Sequence, residues 1–378
     1  MPNRHVKALF ITHDVGNYGA ARSLQLLLKN YDNVHIDLVF KKNIFIKDDD
    51  IREVRNKFGG KIQEIMKCYL PFDFCYKYKP ESFTMRIVYR LLNKLIWQVT
   101  KKKLYSKINE GHYDFIHLNS LVLHSIISRE YPFIIHIRDI FDHSSNKVIQ
   151  NVSNAKGVIF IDEATREPFH NIFLPHSIVL NNPFDMTPIK GYSDAKREKI
   201  NIKFHDKTVF SMIGAVTEKK GVLFVINCFL KLKNDDARLL IVGRGDADGD
   251  NFLEKCRKNA KEDKRIIFWG EEDDILQIYS ISDYILRGEE YQCIGRTIYE
   301  GLYSGCSVIV PADEKRLKPM FEFDKYKDHI YYYPPRHASG LLAIFERLSH
   351  VKACDRVFYS NVNSYVKEFH KFVANLKK

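Results

Sequence analysis

The sequence predicts an α/β protein built from two parallel-sheet domains. Three observations carry that reading. Apolar runs of strand length recur between stretches of helical periodicity along most of the chain. These runs fall into two series, separated by a polar, Lys-rich stretch that follows Asn182-Pro183 and lasts to about residue 206. At 378 residues the chain is also too long for one ordinary core. Strands alternating with helices pack as a parallel sheet covered on both faces, so each series reads as a Rossmann-like domain. The expected division is 1–186, 187–355, and a C-terminal helical segment, 356–378, that packs back on the first domain.

The first series opens with a buried strand from Lys7 to Thr12. A Gly-bearing loop, Asp14 to Gly19, leads into a helix from Ala20 to Lys29. Further strands are expected at His35–Phe40, Phe115–Leu118, Phe133–Ile137, Gly157–Ile161 and Ser177–Leu180. The second series runs Thr208–Ile213, Leu239–Val242, Ile266–Trp269, Asp283–Leu286 and Ser307–Val310. Between the last two of these lies a Gly-bearing turn around Gly295, then an amphipathic helix that stops at Ser304-Gly305. A turn that feeds a helix start offers free N–H groups and a positive dipole end, which suits phosphate.

Composition excludes several classes. With 45% hydrophobic and 28% charged residues, the chain is globular rather than disordered. No apolar run approaches the ~20 residues that span a bilayer, and Met1 to Lys7 leads straight into a strand with no secretory core. The seven cysteines are scattered without a C-x-x-C pair, as expected of reduced cytosolic thiols. The net charge of +12 invites anionic partners, and residues 61–110 hold 11 Lys/Arg against 4 Asp/Glu, with nine aromatics.

Ligands of parallel α/β sheets bind beyond the carboxyl ends of the strands. With two such domains facing each other, the site is expected in the cleft between them. The residues just after strands are therefore the informative ones: His13 to Gly19, Asn119, Arg138 and Asp139 in the first domain. In the second they are Gly214 to Gly221, Gly243 to Gly245, Gly270-Glu271, and Arg287 to Arg296.

Several of these segments resemble landmarks of the GT-B-fold retaining glycosyltransferases of group 1, the large family of bacterial polysaccharide, teichoic-acid and phosphatidylinositol sugar transferases. Ile213-Gly214 with Glu218 to Gly221 resembles the G-R-x-x-x-x-K-G loop, and Ile241 to Gly245 resembles I-V-G-x-G. Ile267 to Gly270 resembles F-x-G, and Ser282-Asp283 resembles the A-D that precedes the donor-site strand. Gly295, Arg296 and Glu300 stand in register with E-x-x-G-R-x-x-x-E. In the first domain Gly16 and Gly19 resemble the Gly-rich donor loop; weaker likenesses cover Ile116–Asn119, Ile135–Asp139 and Val179–Asp185. Two positions depart from the pattern. The first Glu of the E-x7-E pair is Gln292, for which Glu289 or Glu290 are candidate substitutes, and the Arg of the phosphate clamp is Ala215. Gln keeps hydrogen-bonding capacity without charge, and the missing Arg removes a bidentate phosphate contact.

The resemblance implies a nucleotide-diphosphate-sugar donor, a glycan or polyprenyl-linked glycan acceptor, retention at the anomeric carbon, and no required metal or other cofactor. It implies that Lys220 meets the diphosphate, Glu300 the ribose, Gln292 the donor sugar, and His136 the donor sugar or acceptor. Gly16, Asn17, Tyr18, Gly19, Gly214, Arg244, Gly270, Ile294, Gly295, Arg296 and Thr297 complete the expected donor site, with Asn119, Arg138 and Asp139 on the acceptor side. No metal-ligand cluster is expected; Asp246 and Asp248 share a D-x-D spacing but lie in a polar run that reads as solvated loop.

Phe83 to Lys103 reads as one helix. Its apolar residues, among them Val88, Leu92, Leu95 and Val99, form a stripe expected to face the core. Arg86, Arg90, Lys94, Trp97 and Lys101 fall opposite, as an outer face suited to an anionic membrane surface. The resulting expectation is a cytoplasmic enzyme of cell-surface polysaccharide synthesis, peripheral on the inner face of the membrane. The alternatives are a GT-B epimerase or degenerate transferase, and a basic nucleic-acid-binding protein, the last unsupported by any RRM, KH or helix-turn-helix signature.

Overall fold

The computed structural model describes residues 6–16, 19–42, 50–71, 83–139, 145–174, 176–187, 203–245, 251–292, 294–352 and 358–376. The chain divides into two compact units, 1–183 with 362–378, and 184–361. Each is an α/β unit on a parallel sheet, and the fold class read from the sequence holds.

The first unit carries seven strands: β1 (Val6–Thr12), β2 (Val34–Lys41), β3 (Ile62–Cys68), β4 (Phe115–Leu118), β5 (Phe133–Ile137), β6 (Gly157–Phe160) and β7 (Ser177–Val179). Their order in the sheet is β3-β2-β1-β4-β5-β6-β7, every neighbour parallel. β1, β4, β5 and β6 are buried along nearly their whole lengths, as sheets covered on both faces require. The helices are α1 (Gly19–Asn30), α2 (Ile51–Phe58), α3 (Phe83–Gly111), α4 (Asn146–Ser153) and the one-turn α5 (Glu163–Arg166). β3 and α2 were not anticipated. β3 reads IQEIMKC and is exposed at Gln63 and Glu64, an edge strand without a long apolar run.

The second unit has β8 (Thr208–Ile213), β9 (Ala237–Val242), β10 (Ile266–Gly270), β11 (Tyr284–Leu286), β12 (Ser307–Val310) and β13 (Ile330–Tyr332). They are ordered β10-β9-β8-β11-β12-β13, again all parallel. Its helices are α6 (Val222–Phe229), α7 (Phe252–Asn259), α8 (Ile275–Ile281), α9 (Arg296–Tyr303), the short α10 (Phe323–Tyr326) and α11 (Ala338–Leu348). The Ser282-Asp283 landmark has a structural role here. The Asp283 carboxylate accepts the Val209 N–H at 2.8 Å and the Ser282 and Ser211 hydroxyls meet at 2.6 Å, both buried, which fixes β11 against β8.

The last helix, α12 (Val362–Asn375), belongs to the first unit. Phe369 meets the rings of Tyr31, Phe115 and His117 at 5.4, 6.2 and 5.7 Å. A Cβ on Gly157 would lie 2.9 Å from Phe372, so that glycine lets α12 approach the sheet.

α3 sits the other way round from expectation. Its apolar stripe is exposed: Leu95 is 64% and Val99 75% accessible. Trp97, expected on the outer face, instead packs on the first unit's core, in line with buried Leu104 and Ile108. The side chains of Arg86 and Arg90 lie outside the described residues; Lys94 is exposed and Lys101 half-buried.

Candidate active site

In both sheets the strand order reverses direction at the first strand of the series, between β1 and β4 and between β8 and β11. Such switch points open a crevice at the carboxyl ends of the strands. In the second unit the crevice is built by glycines. Gly221 has a left-handed backbone (φ +67°), and a Cβ there would lie 1.6 Å from the Gly288 carbonyl oxygen. Only a glycine permits that approach, which brings the loop after β8 onto the loop after β11. Gly243 (φ +139°) does the same one strand along, with its would-be Cβ 2.0 Å from the Gly214 oxygen.

The side chains held by these loops form a compact charged group. Lys220, half-exposed, lies 3.5 Å from the carboxylate of Glu289, which is fully buried. Arg287 also pairs with Glu289, donating from Nε at 3.1 Å and through a second, shorter contact from its terminal nitrogen. Its other terminal nitrogen donates to Thr297 Oγ1 at 3.3 Å. Gly214, Ala215, Lys220 and Arg287 line one small pocket. A Cβ on Gly295 would meet Arg287 at 2.1 Å, so this glycine, which caps α9, leaves room for the guanidinium.

α9 carries Glu300, 1% exposed. Its carboxylate accepts from Arg296 Nε at 2.7 Å and from the Tyr279 hydroxyl at 2.9 Å. Arg296 also stacks on Phe184, 4.4 Å from the ring centre. Arg296 is thus built into the fold around Glu300. Gln292 accepts a 2.6 Å hydrogen bond from Arg316. Of its two proposed substitutes, Glu289 is bound to Arg287 and Lys220, and Glu290 pairs with Arg336 at 2.6 Å. Arg244 is largely exposed, 4.0 Å from Glu271. Ile294 packs against a core cluster of the second unit. Gly270 adopts φ +87° and its carbonyl receives the Gly243 N–H at 2.7 Å. Tyr279 and Arg316 were not among the residues singled out; Arg287 entered only as the first residue of the segment after β11, and Glu289 only as a substitute for Gln292. The signal for Arg287 and Glu289 was available: two charged residues directly after a strand at a glycine.

In the first unit, Gly16 is held by an Asx-type turn, its N–H donating to Asp14 Oδ1 at 3.0 Å, and Gly19 starts α1. Asn17 and Tyr18 lie outside the described residues, as do Asp246 and Asp248. Asn119 is fully buried; its amide donates to the Ala20 carbonyl at 3.1 Å and its oxygen accepts from Arg138 Nε at 3.0 Å. Asp139 is exposed and accepts from Ser120 at 3.3 Å.

His136 is a correction. It was expected to contact substrate, but its ring is completely buried inside β5. Its Nδ1 lies 3.2 Å from an Arg138 terminal nitrogen and 3.3 Å from His117 Nε2. A guanidinium only donates, so Nδ1 must accept and His136 carries its proton on Nε2. Burial, then the Arg138 charge, push both histidines well below the ordinary imidazole range. Arg138 itself is lowered by burial, offset by Tyr365 of α12 and Asp139. This cluster fastens β4, β5, Asn182 and α12 together. Its histidines are structural and neutral.

Residues 193–318 match the glycosyl transferases group 1 family. Over that third of the chain the sequence is similar to group 1 glycosyl transferases. That stretch includes β8 to β12, the Gly221–Gly288 approach and Glu300. N-acetyl-alpha-D-glucosaminyl L-malate synthase of Bacillus anthracis is 30% identical over 129 residues, which span 33% of this chain and 30% of that protein. The match thus covers about a third of each. Among solved structures, Anabaena HepE in complex with UDP and glucose superposes with a TM-score of 0.67 at 15% identity, over 98% of this chain and all of that one. Sucrose-phosphate synthase of Thermosynechococcus elongatus gives 0.67 at 15% identity, over 98% and 97%. At such identity the likeness concerns the fold, which is the GT-B pairing of two Rossmann-like units.

Proposed function

We propose that this protein transfers a sugar from a nucleotide-diphosphate-sugar, with UDP as the carrier, to a hydroxyl of a glycan or lipid-linked glycan. The observation that carries the proposal is the close approach of Gly221 to Gly288 inside the stretch similar to group 1 glycosyl transferases. It gathers Lys220, Arg287 and the start of α9 at one strand-end crevice. Lys220 supplies a point charge for the diphosphate, and the N–H groups at the start of α9 supply neutral donors. Glu300, oriented by Arg296 and Tyr279, takes ribose hydroxyls. Support for UDP in particular comes from HepE, which binds UDP and glucose on the same fold.

In the reaction, the acceptor oxygen bonds to the anomeric carbon as the bond to the β-phosphate oxygen breaks, and the hydroxyl proton is released. Negative charge grows on the departing phosphate, which is where Lys220 acts. The family resemblance implies retention, no obligatory divalent ion, and a place in cell-surface polysaccharide synthesis.

A thermal-stability panel with UDP, GDP, CDP and ADP tests the donor reading; UDP should raise the unfolding temperature most. Stabilisation by an oligonucleotide and by none of the four would sink it. Proton NMR of the first-formed product, with and without EDTA, tests the rest. An inverted linkage, or turnover abolished by EDTA, contradicts the proposed course.

A further inference from the structure

α3 shows its apolar side to solvent. At about 100° per residue, Val88, Leu92, Leu95 and Val99 lie on one arc, with Met85 and Leu91 at its margins. These six are 39% to 75% exposed. The arc runs roughly 16 Å along the helix from Val88 to Val99. An exposed apolar strip of this extent marks an interaction surface rather than scattered surface residues.

The other side of the helix is committed to the first unit. Leu104 and Ile108 are buried, Trp97 and Tyr105 pack on the core, and the Tyr105 hydroxyl donates to the Ile126 carbonyl at 2.7 Å. Lys107 pairs with Glu64 at 2.7 Å and Asp37 at 3.5 Å. The helix cannot turn its apolar arc inward without unpacking these residues.

Charge identifies the occupant. Of the 29 residues of α3, seven are Lys or Arg, and the one acid, Glu110, stands at its end. Lys94, Lys102 and Lys103 are exposed. On the wheel Lys102 falls between Leu91 and Leu95, and Lys103 beside Leu92. Long lysine stems can lie along an apolar surface with the ammonium at its rim. An apolar arc set among cations matches the boundary between anionic headgroups and acyl chains. A second copy of the same face would set these cations against like charges. No helix among the described residues is long and apolar enough to cross a membrane. α3 would therefore lie in the interface plane.

We infer that α3 docks this protein on an anionic lipid bilayer, with Val88, Leu92, Leu95 and Val99 entering the headgroup boundary and Lys94, Lys102 and Lys103 on lipid phosphates. The surface is the reverse of the basic, Trp-bearing face that the sequence suggested, and it stands independently of the donor chemistry.

The test uses the full chain and vesicles of equal parts phosphatidylglycerol and phosphatidylcholine. Wild-type protein should co-sediment with them, and much less with pure phosphatidylcholine. Leu95→Ser with Val99→Ser should lower partitioning roughly tenfold or more at any salt. Lys102→Gln with Lys103→Gln should lower it about as much at low salt and little at high salt. Both variants should keep the wild-type unfolding temperature and its response to UDP, whatever that response is. A Val99→Cys protein bearing an environment-sensitive dye should shift to the blue on anionic vesicles only. Three results would each overturn the inference: wild type that stays in the supernatant, a serine variant that sediments like wild type, or a wild-type dimer that the serine substitutions split.

Discussion

Glu300 and the His117–His136 pair show what burial does to a polar group. Glu300 is buried on α9 and held by two donors from different elements, Arg296 one turn away and Tyr279 on α8. Replacing it by Gln keeps the shape and removes the charge. Glu300→Gln should weaken UDP binding by about 1.5–3 kcal/mol, the scale of hydrogen bonds to a charged group, read by calorimetry; unaltered affinity would remove Glu300 from the site. Tyr279→Phe leaves the carboxylate charged and should cost about 1 kcal/mol of stability, read by urea unfolding. The histidine pair makes stability depend on pH. Both rings stay neutral when folded because burial and Arg138 lower their proton affinity. The unfolded chain therefore takes up protons first as the solution is acidified. The pair's contribution is full above the unfolded value near 6.5, and is lost below it at up to roughly 1.4 kcal/mol per pH unit for each ring. His117→Phe, beside the rings of Phe10 and Phe369, should remove about half of that slope. An identical acid slope in this variant would show that the ring is charged in the fold.

At the scale of elements, the glycine-built crevice and the exposed helix differ in how visible they are in the sequence. The Gly221–Gly288 approach was half visible. Gly221 closes a loop with family-like spacing, but its partner lies 67 residues on, and only β8 and β11 being neighbours brings them together. Gly221→Ala should cost at least about 1–2 kcal/mol from the left-handed backbone alone and should weaken UDP binding, since the clash displaces the loop carrying Lys220. Gly60→Ala, with nothing within 4 Å of the added carbon, should do neither. Loss of binding in the control, or none in Gly221→Ala, would separate the crevice from the donor. α3 faces the other way from its expected orientation for a physical reason. The apolar periodicity of Phe83 to Lys103 ends one residue before Leu104. Leu104 and Ile108 lie on the line of Trp97, so the helix's C-terminal turns decide which side faces the core. A wheel finds two faces; it does not say which one is covered. β3 and β13, with few apolar residues or only three residues of length, carried too little periodicity to be found. The long buried runs, β1, β5, β8, β9 and β12, were legible because strands covered on both faces read as unbroken apolar stretches.

For the whole molecule, two sheets whose first six strands share one order, each with a switch point at its first strand, give the chain two strand-end crevices. Alternating strands and helices predicted that architecture, and Lys220, Glu300 and Gly295 were legible as site candidates from their resemblance to family motifs. Tyr279 and Arg316 were not, because a charged group assembled from several loops and a helix has no linear signature; Arg287 and Glu289 were visible as charged residues just after a strand, but not their pairing with each other and with Lys220. The central claim is that the second unit's crevice between β8 and β11 holds the diphosphate and ribose of a UDP-linked donor. Calorimetric titration of UDP into wild type, Lys220→Met and Glu300→Gln tests it most directly. Wild type should show saturable one-site binding and each variant a loss of roughly tenfold or more, with little change in unfolding temperature for Lys220→Met, since Lys220 is half-exposed and Arg287 still pairs with the buried Glu289. Wild type that binds no UDP, or variants that bind it as tightly as wild type, would contradict it.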